Sequence, residues 1–191
     1  MIYLIEPHAD DVYLSLHHHF IHDKSIWAGM EKTIITVYGN KQRAAEGAMY
    51  AGLVKAEHFC LGCVEGGGLG KPSGEIPPPK TWRVQFKPGD TLVFPLGLQH
   101  PEHLAVRSLI KKLPGRDKLR VLYYLDSPYY SKQKLSGEIL EAVAGLKVVS
   151  LLWAGKSKEK HAHIFKSQGR YFFNHPPEEL PRFEMVLEDD R

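Results

Sequence analysis

The chain has 191 residues, of which 43% are hydrophobic and 25% are charged, and its formal net charge at pH 7 is +3. This length and composition exclude a disordered or low-complexity chain, and they predict a single domain over residues 1–191 with a sizeable core. Because the basic residues are spread along the chain without an aromatic–basic module, the charge indicates solvated helix faces and no nucleic-acid partner.

The predicted strands and helices alternate along the chain. Short apolar or β-branched runs predict strands near residues 2–5, 32–38, 58–61, 91–95, 119–125 and 147–153. Helical spacing predicts helices near 12–22, 41–56, 101–112, 136–144 and 156–168. A Gly/Pro-rich loop over about 62–90, with a short strand near 82–84, and a Pro-rich tail over about 170–191 complete the chain. The alternation predicts an α/β fold: a Rossmann-like, parallel or mostly parallel sheet with helices on both faces.

A first polar cluster follows the first predicted strand directly, in Pro7-His8-Ala9-Asp10-Asp11. In an open α/β sheet, the ligand crevice lies outside the carboxyl ends of the strands. Two adjacent carboxylates repel each other when buried, and a cation relieves that repulsion. A divalent metal could take His8 and one Asp as ligands and leave the other Asp as a base. On this segment alone a second interpretation stays open, because Asp is also favoured at the start of a helix.

A second cluster follows the strand predicted at 91–95 and contains His100, Glu102 and His103. Pro101 suits the first turn of the helix that follows, because its missing N–H has no intrahelical partner there. A third ligand from this cluster would complete a three-ligand site with one open position. Two such clusters at the ends of two strands favour a metal site over two coincidental helix caps.

The two clusters resemble the motifs of the zinc-dependent PIG-L/LmbE-like N-acetylglucosamine deacetylases, which run His-Pro-Asp-Asp-Glu and His-Pro-Asp-His. Here they read His8-Ala9-Asp10-Asp11-Val12 and His100-Pro101-Glu102-His103. The resemblance covers nearly the whole chain in its order of elements. It extends to the following segments: Arg43-Ala44-Ala45-Glu46, Leu61-Gly62, and Lys160 with Lys166-Ser167-Gln168.

Carried over position by position, the resemblance implies that His8, Asp11 and His103 bind Zn²⁺ or a similar divalent metal. It further implies a catalytic pair, in which Asp10 is the general base and His100 stabilises the oxyanion. The implied activity is that of a metal-dependent amide hydrolase, an N-deacetylase. Its substrate would be a small N-acetylated molecule, in the first place an amino sugar.

The resemblance also implies roles around this group. Arg43 would contact the substrate, although it could instead only pair with Glu46 at i,i+3. Glu102 stands where the family has Asp, and it would orient His100 from the second shell with one more methylene of reach. Val12 stands where the family has Glu, which removes a carboxylate near the site or at the helix start.

Two other functions stay open at this stage. One is a different single-metal hydrolase on the same scaffold, such as a phosphoesterase, although that chemistry usually needs more carboxylates and a second metal. The other is a catalytically silent relative that binds a metal or a glycan, which the replacements at Val12 and Glu102 would permit. The oligomeric state is not predicted by the sequence.

Three weaker signals give expectations of their own. Cys60 and Cys63 have C-x-x-C spacing, but without a second such pair they are interpreted as ordinary thiols. The run His17-His18-His19 is expected to have one core-facing and two exposed residues. Asp126, after the strand predicted at 119–125, either lines the cleft or forms only a turn.

The chain has no signal-like start and no run of membrane-spanning length, so we expect a cytoplasmic protein without a membrane partner.

Overall fold

The structure is a computed structural model that describes residues 1–22, 25–66, 74–127, 137–153, 157–168 and 183–189. Its strands are β1 (Ile2–Glu6), β2 (Lys32–Tyr38), β3 (Glu57–Cys63), β4 (Thr91–Pro95), β5 (Arg120–Tyr124), β6 (Leu146–Trp153) and β7 (Phe183–Asp189). Its α-helices are α1 (Asp11–Ile21), α2 (Lys41–Leu53), α3 (Pro101–Ser108) and α4 (Gly137–Val143). Short 3₁₀ segments cover Pro79–Thr81, Leu109–Lys112, Arg116–Lys118, Ser157–Ile164 and Lys166–Gln168.

The seven strands form one sheet in the order β3-β2-β1-β4-β5-β7-β6. Strands β1 to β5 pair in parallel, and β7 runs antiparallel to both β5 and β6. The predicted mostly parallel α/β sheet is therefore confirmed. The chain winds from β1 outward to β2 and β3, and then returns to the other side of β1 with β4 and β5. The carboxyl ends of β1 and β4 thus form a topological switch point, where ligands bind in folds of this type.

Both faces of the sheet are buried, as the sequence predicts. Ile2 and Leu4 of β1 pack on the side that α1 and α2 cover, together with the 3₁₀ segment Ser157–Ile164. Tyr3 and Ile5 pack on the side that α3 and α4 cover. Because neither face meets water at the centre of the sheet, β1 and β4 are almost entirely apolar instead of alternating. Among the described helices, none is long and apolar enough to cross a membrane.

Several predicted elements are wrong. The tail predicted over 170–191 contains β7, an inner strand, and only residues 170–182, 190 and 191 of it lie outside the described residues. The strand predicted near 82–84 does not form. Trp82 instead follows a 3₁₀ turn, is buried, and donates its indole N–H to the carbonyl of Pro77 at 2.9 Å. The helix predicted over 156–168 is replaced by 3₁₀ segments over 157–164 and 166–168.

The expectation for the histidine run is also wrong, because His17, His18 and His19 are all buried. Glu184 of β7 lies beneath α1 and accepts hydrogen bonds from the backbone N–H groups of His18 and His19. Its carboxylate oxygens also lie 3.0 Å from Nδ1 of each ring. The Lys158 ammonium completes the cluster, 2.8 Å from Glu184 and bonded to the carbonyl of Leu14. His18 and His19 are inside because β7 brings an acid to them, whereas Nδ1 of His17 lies 3.2 Å from the Tyr50 hydroxyl.

We predict that Glu184→Gln destabilises the protein by about 3–5 kcal/mol, because it leaves the buried Lys158 ammonium without its counter-charge. Lys158 is only 1% exposed, so water cannot replace the lost partner. Glu188→Gln on the same strand is the matched control. Its partner Arg120 is 51% exposed, and we expect a loss below about 1 kcal/mol. Urea unfolding at pH 7 measures both, and equal losses would contradict the prediction.

The effect of Glu184 should depend on pH. Burial alone would raise the pKa of this carboxyl, but the Lys158 charge and the His18 and His19 bonds hold that pKa well below its usual range. The unfolded chain therefore takes up the proton first, and the stability that Glu184 contributes is lost as the pH falls through the acid range. We expect the stability difference between wild type and Glu184→Gln to be constant from pH 7 to about 5 and to shrink below about 4. An undiminished difference at low pH would contradict this.

Candidate metal centre

The candidate site lies where the loop after β1 meets the loop after β4. The first loop carries His8 and leads into α1, with Asp10 at the N-cap, and the second carries His100 at the N-cap of α3. Because β1 and β4 are paired in parallel, both loops leave the sheet at the carboxyl ends of the strands. The ring centroids of His8, His100 and His103 lie 5.4 to 5.6 Å from one another. The two polar clusters of the sequence therefore form one site.

The carboxylate of Asp11 points toward two imidazole rings. Its Oδ2 lies 3.3 Å from Nδ1 of His8 and 3.4 Å from Nε2 of His103, and it accepts the backbone N–H of His8 at 2.7 Å. Asp10 occupies the N-cap position, but among the described residues its side chain makes no capping bond. The helix-start interpretation therefore does not account for either carboxylate.

The ring of His103 is oriented by Asp126, which is fully buried at the end of β5. Asp126 Oδ2 accepts the backbone N–H groups of Gly97 and Leu98 at 2.9 and 2.7 Å, and it lies 3.2 Å from Nδ1 of His103. This contact assigns the proton of the ring to Nδ1. Nε2, the other ring nitrogen, then faces Asp11 Oδ2 at 3.4 Å.

The ring of His8 is oriented in the same way by Glu102, whose Oε2 lies 2.6 Å from Nε2 of His8. The other oxygen of Glu102 accepts the backbone N–H of Gly66 at 2.7 Å. The expected partner of this acid was His100, but Oε2 lies 3.8 Å from Nδ1 of that ring. The extra methylene of Glu lets it reach across to His8, and only its backbone N–H bonds to His100, at 3.3 Å.

The geometry fits a divalent metal. One atom each of His8, Asp11 and His103 can be chosen so that all lie within 4.8 Å of one another. Two neutral imidazoles and one carboxylate form a ligand set typical of catalytic zinc. Because Glu102 and Asp126 each face the outer nitrogen of one ring, Nδ1 of His8 and Nε2 of His103 both face Asp11, where a divalent ion would take the place of protons on these nitrogens.

The titration of these groups supports the same conclusion. Burial lowers the pKa of His8, but Asp11 and Glu102 outweigh it and raise that pKa to about 10. The pKa of His103 is likewise raised by Asp11 and Asp126 against the effect of burial. Burial would raise the pKa of Asp11, but the two histidines lower it. The site therefore attracts positive charge, which a divalent ion supplies when it displaces protons.

Asp10 differs from its neighbour. Burial and the charge of Asp11 raise the pKa of Asp10 to about 6, which the charges of His8 and Arg43 offset only in part. The two adjacent acids are therefore in different electrostatic environments, although both are buried. The pKa of His100 is lowered by burial and by the charges of His103 and His8, so its ring is neutral at rest.

Arg43, on the first turns of α2, pairs with Glu65 at 3.2 Å and not with Glu46. Glu46 instead accepts the backbone N–H and the hydroxyl of Ser167 at 2.8 and 2.5 Å. The two weaker segments of the family resemblance, around residues 43–46 and 166–168, are thus in contact. Lys158 is buried just before that late segment, and the side chain of Lys160, to which the resemblance pointed, lies outside the described residues.

Two buried acids of the site were missed by the sequence analysis. Asp126 had only been placed in a cleft or a turn. Glu6 is fully buried, accepts the hydroxyl of Thr36 at 2.6 Å, and accepts the backbone N–H of Val12 at 3.0 Å. It therefore supplies a carboxylate at the helix start, where Val12 itself has none. An acid at the end of an otherwise apolar strand was the signal that could have revealed it.

Comparisons with known proteins extend this description. No protein-family model matches the chain, and the comparison with curated proteins finds no match. The zinc-inhibited form of the teicoplanin deacetylase Orf2 superposes with a TM-score of 0.60 at 14% identity, covering 99% of this chain and 98% of that chain. For the A40926 pseudoaglycone deacetylase Dbv21, the TM-score is 0.58 at 15% identity, with 98% and 96% covered.

A third solved structure is the 4-carboxy-2-hydroxymuconate hydratase GalB from Pseudomonas putida KT2440. Its TM-score is 0.50 at 10% identity, with 90% of this chain and 81% of that chain covered. These likenesses confirm the fold that the two histidine motifs implied. Because the same fold occurs in deacetylases and in a hydratase, the reaction has to be argued from the site.

We predict that Asp126→Asn weakens metal binding about 10- to 100-fold, because a neutral amide oxygen accepts the Nδ1–H of His103 less strongly than a carboxylate and leaves the ring a weaker ligand. Asn still offers an oxygen to the N–H groups of Gly97 and Leu98, so the loop should keep its shape. Asp90→Asn, a buried acid beside the N-terminus, is the control and should leave the affinity unchanged. Competition with a chromophoric chelator measures both affinities. An Asp126→Asn protein with wild-type affinity would contradict the assignment.

Proposed function

We propose that the protein is a metal-dependent amide hydrolase that removes an acetyl group from an N-acetylated amino sugar or a related small amide. Zinc or a similar divalent ion would be held by His8, Asp11 and His103. The observation that carries the proposal is the division between two adjacent buried acids. Asp11 faces both imidazoles, whereas Asp10 lies beside them with its pKa raised to about 6. The fold shared with two structures described as deacetylases supports it.

The residues of the chain then take the following roles. When bound, the metal supplies Lewis acidity for the amide carbonyl and the attacking water. Asp10 accepts a proton from that water and later delivers it to the departing amine. His100 donates its Nε2–H to the oxyanion, because its Nδ1 already accepts the backbone N–H of Glu102. A neutral imidazole can donate in this way, so the lowered pKa of His100 is compatible with the role.

We also propose that Arg43 contacts the substrate. It lies close enough to Asp10 to lower the pKa of that acid, and with Glu65 it forms a half-buried polar pair. Such a pair offers donors and an acceptor to the hydroxyl groups of a sugar.

The cysteines Cys60 and Cys63 are both free thiols, with pKa values raised by burial, and we propose a reducing cytoplasmic location on that ground.

Acetate release from a panel of N-acetylated amino sugars tests the reaction class. Phosphate esters and unsaturated carboxylic acids serve as the parallel substrates, since they represent a phosphoesterase and a hydratase. We expect metal-dependent acetate release and no turnover of the other two classes. Turnover of a phosphate ester or hydration of an alkene would replace the proposal. A metal-loaded protein without activity on any class would favour the silent relative.

The two acids provide a reciprocal test. We predict that Asp10→Asn keeps the metal and loses activity about 10²-fold or more, because only the base is removed. Asp11→Asn should instead lose the metal, because its carboxylate lies between both imidazoles. Elemental analysis and initial rates of acetate release measure the two effects. If Asp10→Asn loses the metal and recovers its rate on metal addition, the roles are exchanged.

We predict that His100→Ala lowers kcat by about 10²- to 10³-fold with little change in metal content, because one donor to the oxyanion is lost. His22→Ala, at the exposed end of α1, is the control for histidine removal as such and should be neutral. Steady-state kinetics on the best substrate of the panel measures the effect. An unchanged kcat would leave His100 with only its helix-capping role.

A further inference from the structure

Helix α1 begins differently from α2 and α3. The residues before α2 and α3, Asn40 and His100, have an extended backbone, and the side chain of each accepts an N–H group of the first helical turn. Asp10 holds the same position before α1, but its backbone is already helical, with φ −99° and ψ −10°. Within the described part of the chain its side chain makes no capping bond, although Asp is among the residues that cap helices best.

The cap of α1 comes instead from Glu6, the last residue of β1. Its Oε2 accepts the backbone N–H of Val12, the second residue of α1, at 3.0 Å. This N–H is one of those that a capping side chain at position 10 would otherwise accept. Glu6 and Val12 are both fully buried, so water cannot serve the N–H in place of the carboxylate.

Glu6 is itself held by a chain of polar contacts across the sheet. Its other oxygen, Oε1, accepts the hydroxyl of Thr36 on β2 at 2.6 Å. Because that hydroxyl has only one proton to donate, its oxygen accepts the Nε2–H of His58 on β3, which lies 2.9 Å away. Both oxygens of the Glu6 carboxylate are thus engaged, and the group is fixed in its direction toward α1.

We propose that Glu6 is a positioning residue, which caps α1 in place of Asp10 and so keeps the Asp10 carboxylate available to the metal site. The inference rests on the proposed function, in which Asp10 is the general base. A carboxylate that accepts backbone N–H groups is fixed in direction and becomes a weaker base, because those bonds stabilise its ionised form. The acid from the strand therefore spares the acid of the site from this role.

Removal of the Glu6 carboxylate should redirect Asp10. The N–H of Val12 would then need another acceptor, and the extended backbone seen at Asn40 would bring the Asp10 side chain to it. Asp11 is held separately, by the backbone N–H of His8 at 2.7 Å and by its contacts with two imidazoles. We therefore expect a protein that keeps its metal ligands and loses its base.

A double-mutant cycle of Glu6→Met and Asp10→Ala tests the proposal on the metal-loaded enzyme. A methionine side chain fills the space of Glu without offering an oxygen, so Glu6→Met alone should lower kcat at least about tenfold at unchanged metal content. In the Asp10→Ala background the same substitution should lower kcat no further, because the residue through which it acts is absent. Glu6→Gln keeps an oxygen for the Val12 N–H and should stay within about threefold of wild type.

Asp90→Ala is the matched control. Asp90 is a buried acid that accepts a backbone N–H, that of Lys87 at 2.7 Å, but it lies at the start of β4, at the other end of the strands. Its loss should leave kcat unchanged.

Urea unfolding gives a readout that does not depend on activity. Asp10→Ala should lower the urea midpoint in the Glu6→Met background, where Asp10 caps α1, but not in the wild type, where it does not. Thr36→Val is a milder second variant for the same cycle if Glu6→Met does not fold, because it removes only the hydroxyl that holds Glu6. It should lower kcat in the wild type and not in Asp10→Ala, and Thr36→Ser should restore the rate.

Two results would overturn the proposal. One is a Glu6→Met enzyme with the kcat of wild type, and the other is an equal fall in kcat on adding Glu6→Met to the wild type and to Asp10→Ala. Full activity of Asp10→Ala would instead contradict the base assigned in the proposed function, so the two failures are distinguishable.

Discussion

The buried carboxylate of Asp11 is the constraint on which the rest of the structure depends. It lies between two imidazole rings and next to a second buried acid, so its charge must be balanced locally. A parallel pairing of β1 with β4 is the feature that brings both rings to it, since the two clusters are about 90 residues apart in the chain. A further acid contacts the other nitrogen of each ring: Glu102 contacts His8, and Asp126 contacts His103. Because those acids hold the outer nitrogen of each ring, the remaining nitrogens of both rings face Asp11 without any ion having to order them.

Helix α1 carries Asp11 and is held by carboxylates at both of its ends. Near its start, Glu6 of β1 accepts the backbone N–H of Val12, which replaces the carboxylate that the family places at that position. Near its end, Glu184 accepts two backbone N–H groups and binds the Lys158 ammonium. A helix bonded near both ends to two strands of one sheet cannot shift along its axis without breaking buried hydrogen bonds.

The sequence predicted the strand–helix alternation and both polar clusters, because apolar runs and adjacent acids are local signals. It did not predict the distant partners of the buried histidines. Glu102 contacts His8, which is 94 residues away in the sequence, and Glu184 contacts His18, which is 166 residues away. The misassigned tail shows the reason. In β7 the apolar alternation is short and is interrupted by acids, and Glu184 is one of the most buried of them. From the sequence alone, an acidic residue is predicted to be exposed. Its burial can be predicted only when its lysine and histidine partners are known, and these come from tertiary structure.

The fold by itself does not determine the reaction, because a hydratase and two deacetylases share it with this chain. The more specific information is that two neighbouring aspartates titrate in opposite directions. Histidine charges lower the pKa of Asp11, whereas burial and the charge of Asp11 itself raise the pKa of Asp10. A pair of acids with separated pKa values provides one group that stays ionised and one that can exchange a proton near neutral pH. Asp10 stands at the N-cap and Asp11 opens α1, so their side chains leave the helix start in different directions, and only Asp11 faces both rings. Helix geometry thus separates two like charges, and this separation supports the proposed roles of Asp11 as a ligand and of Asp10 as a base.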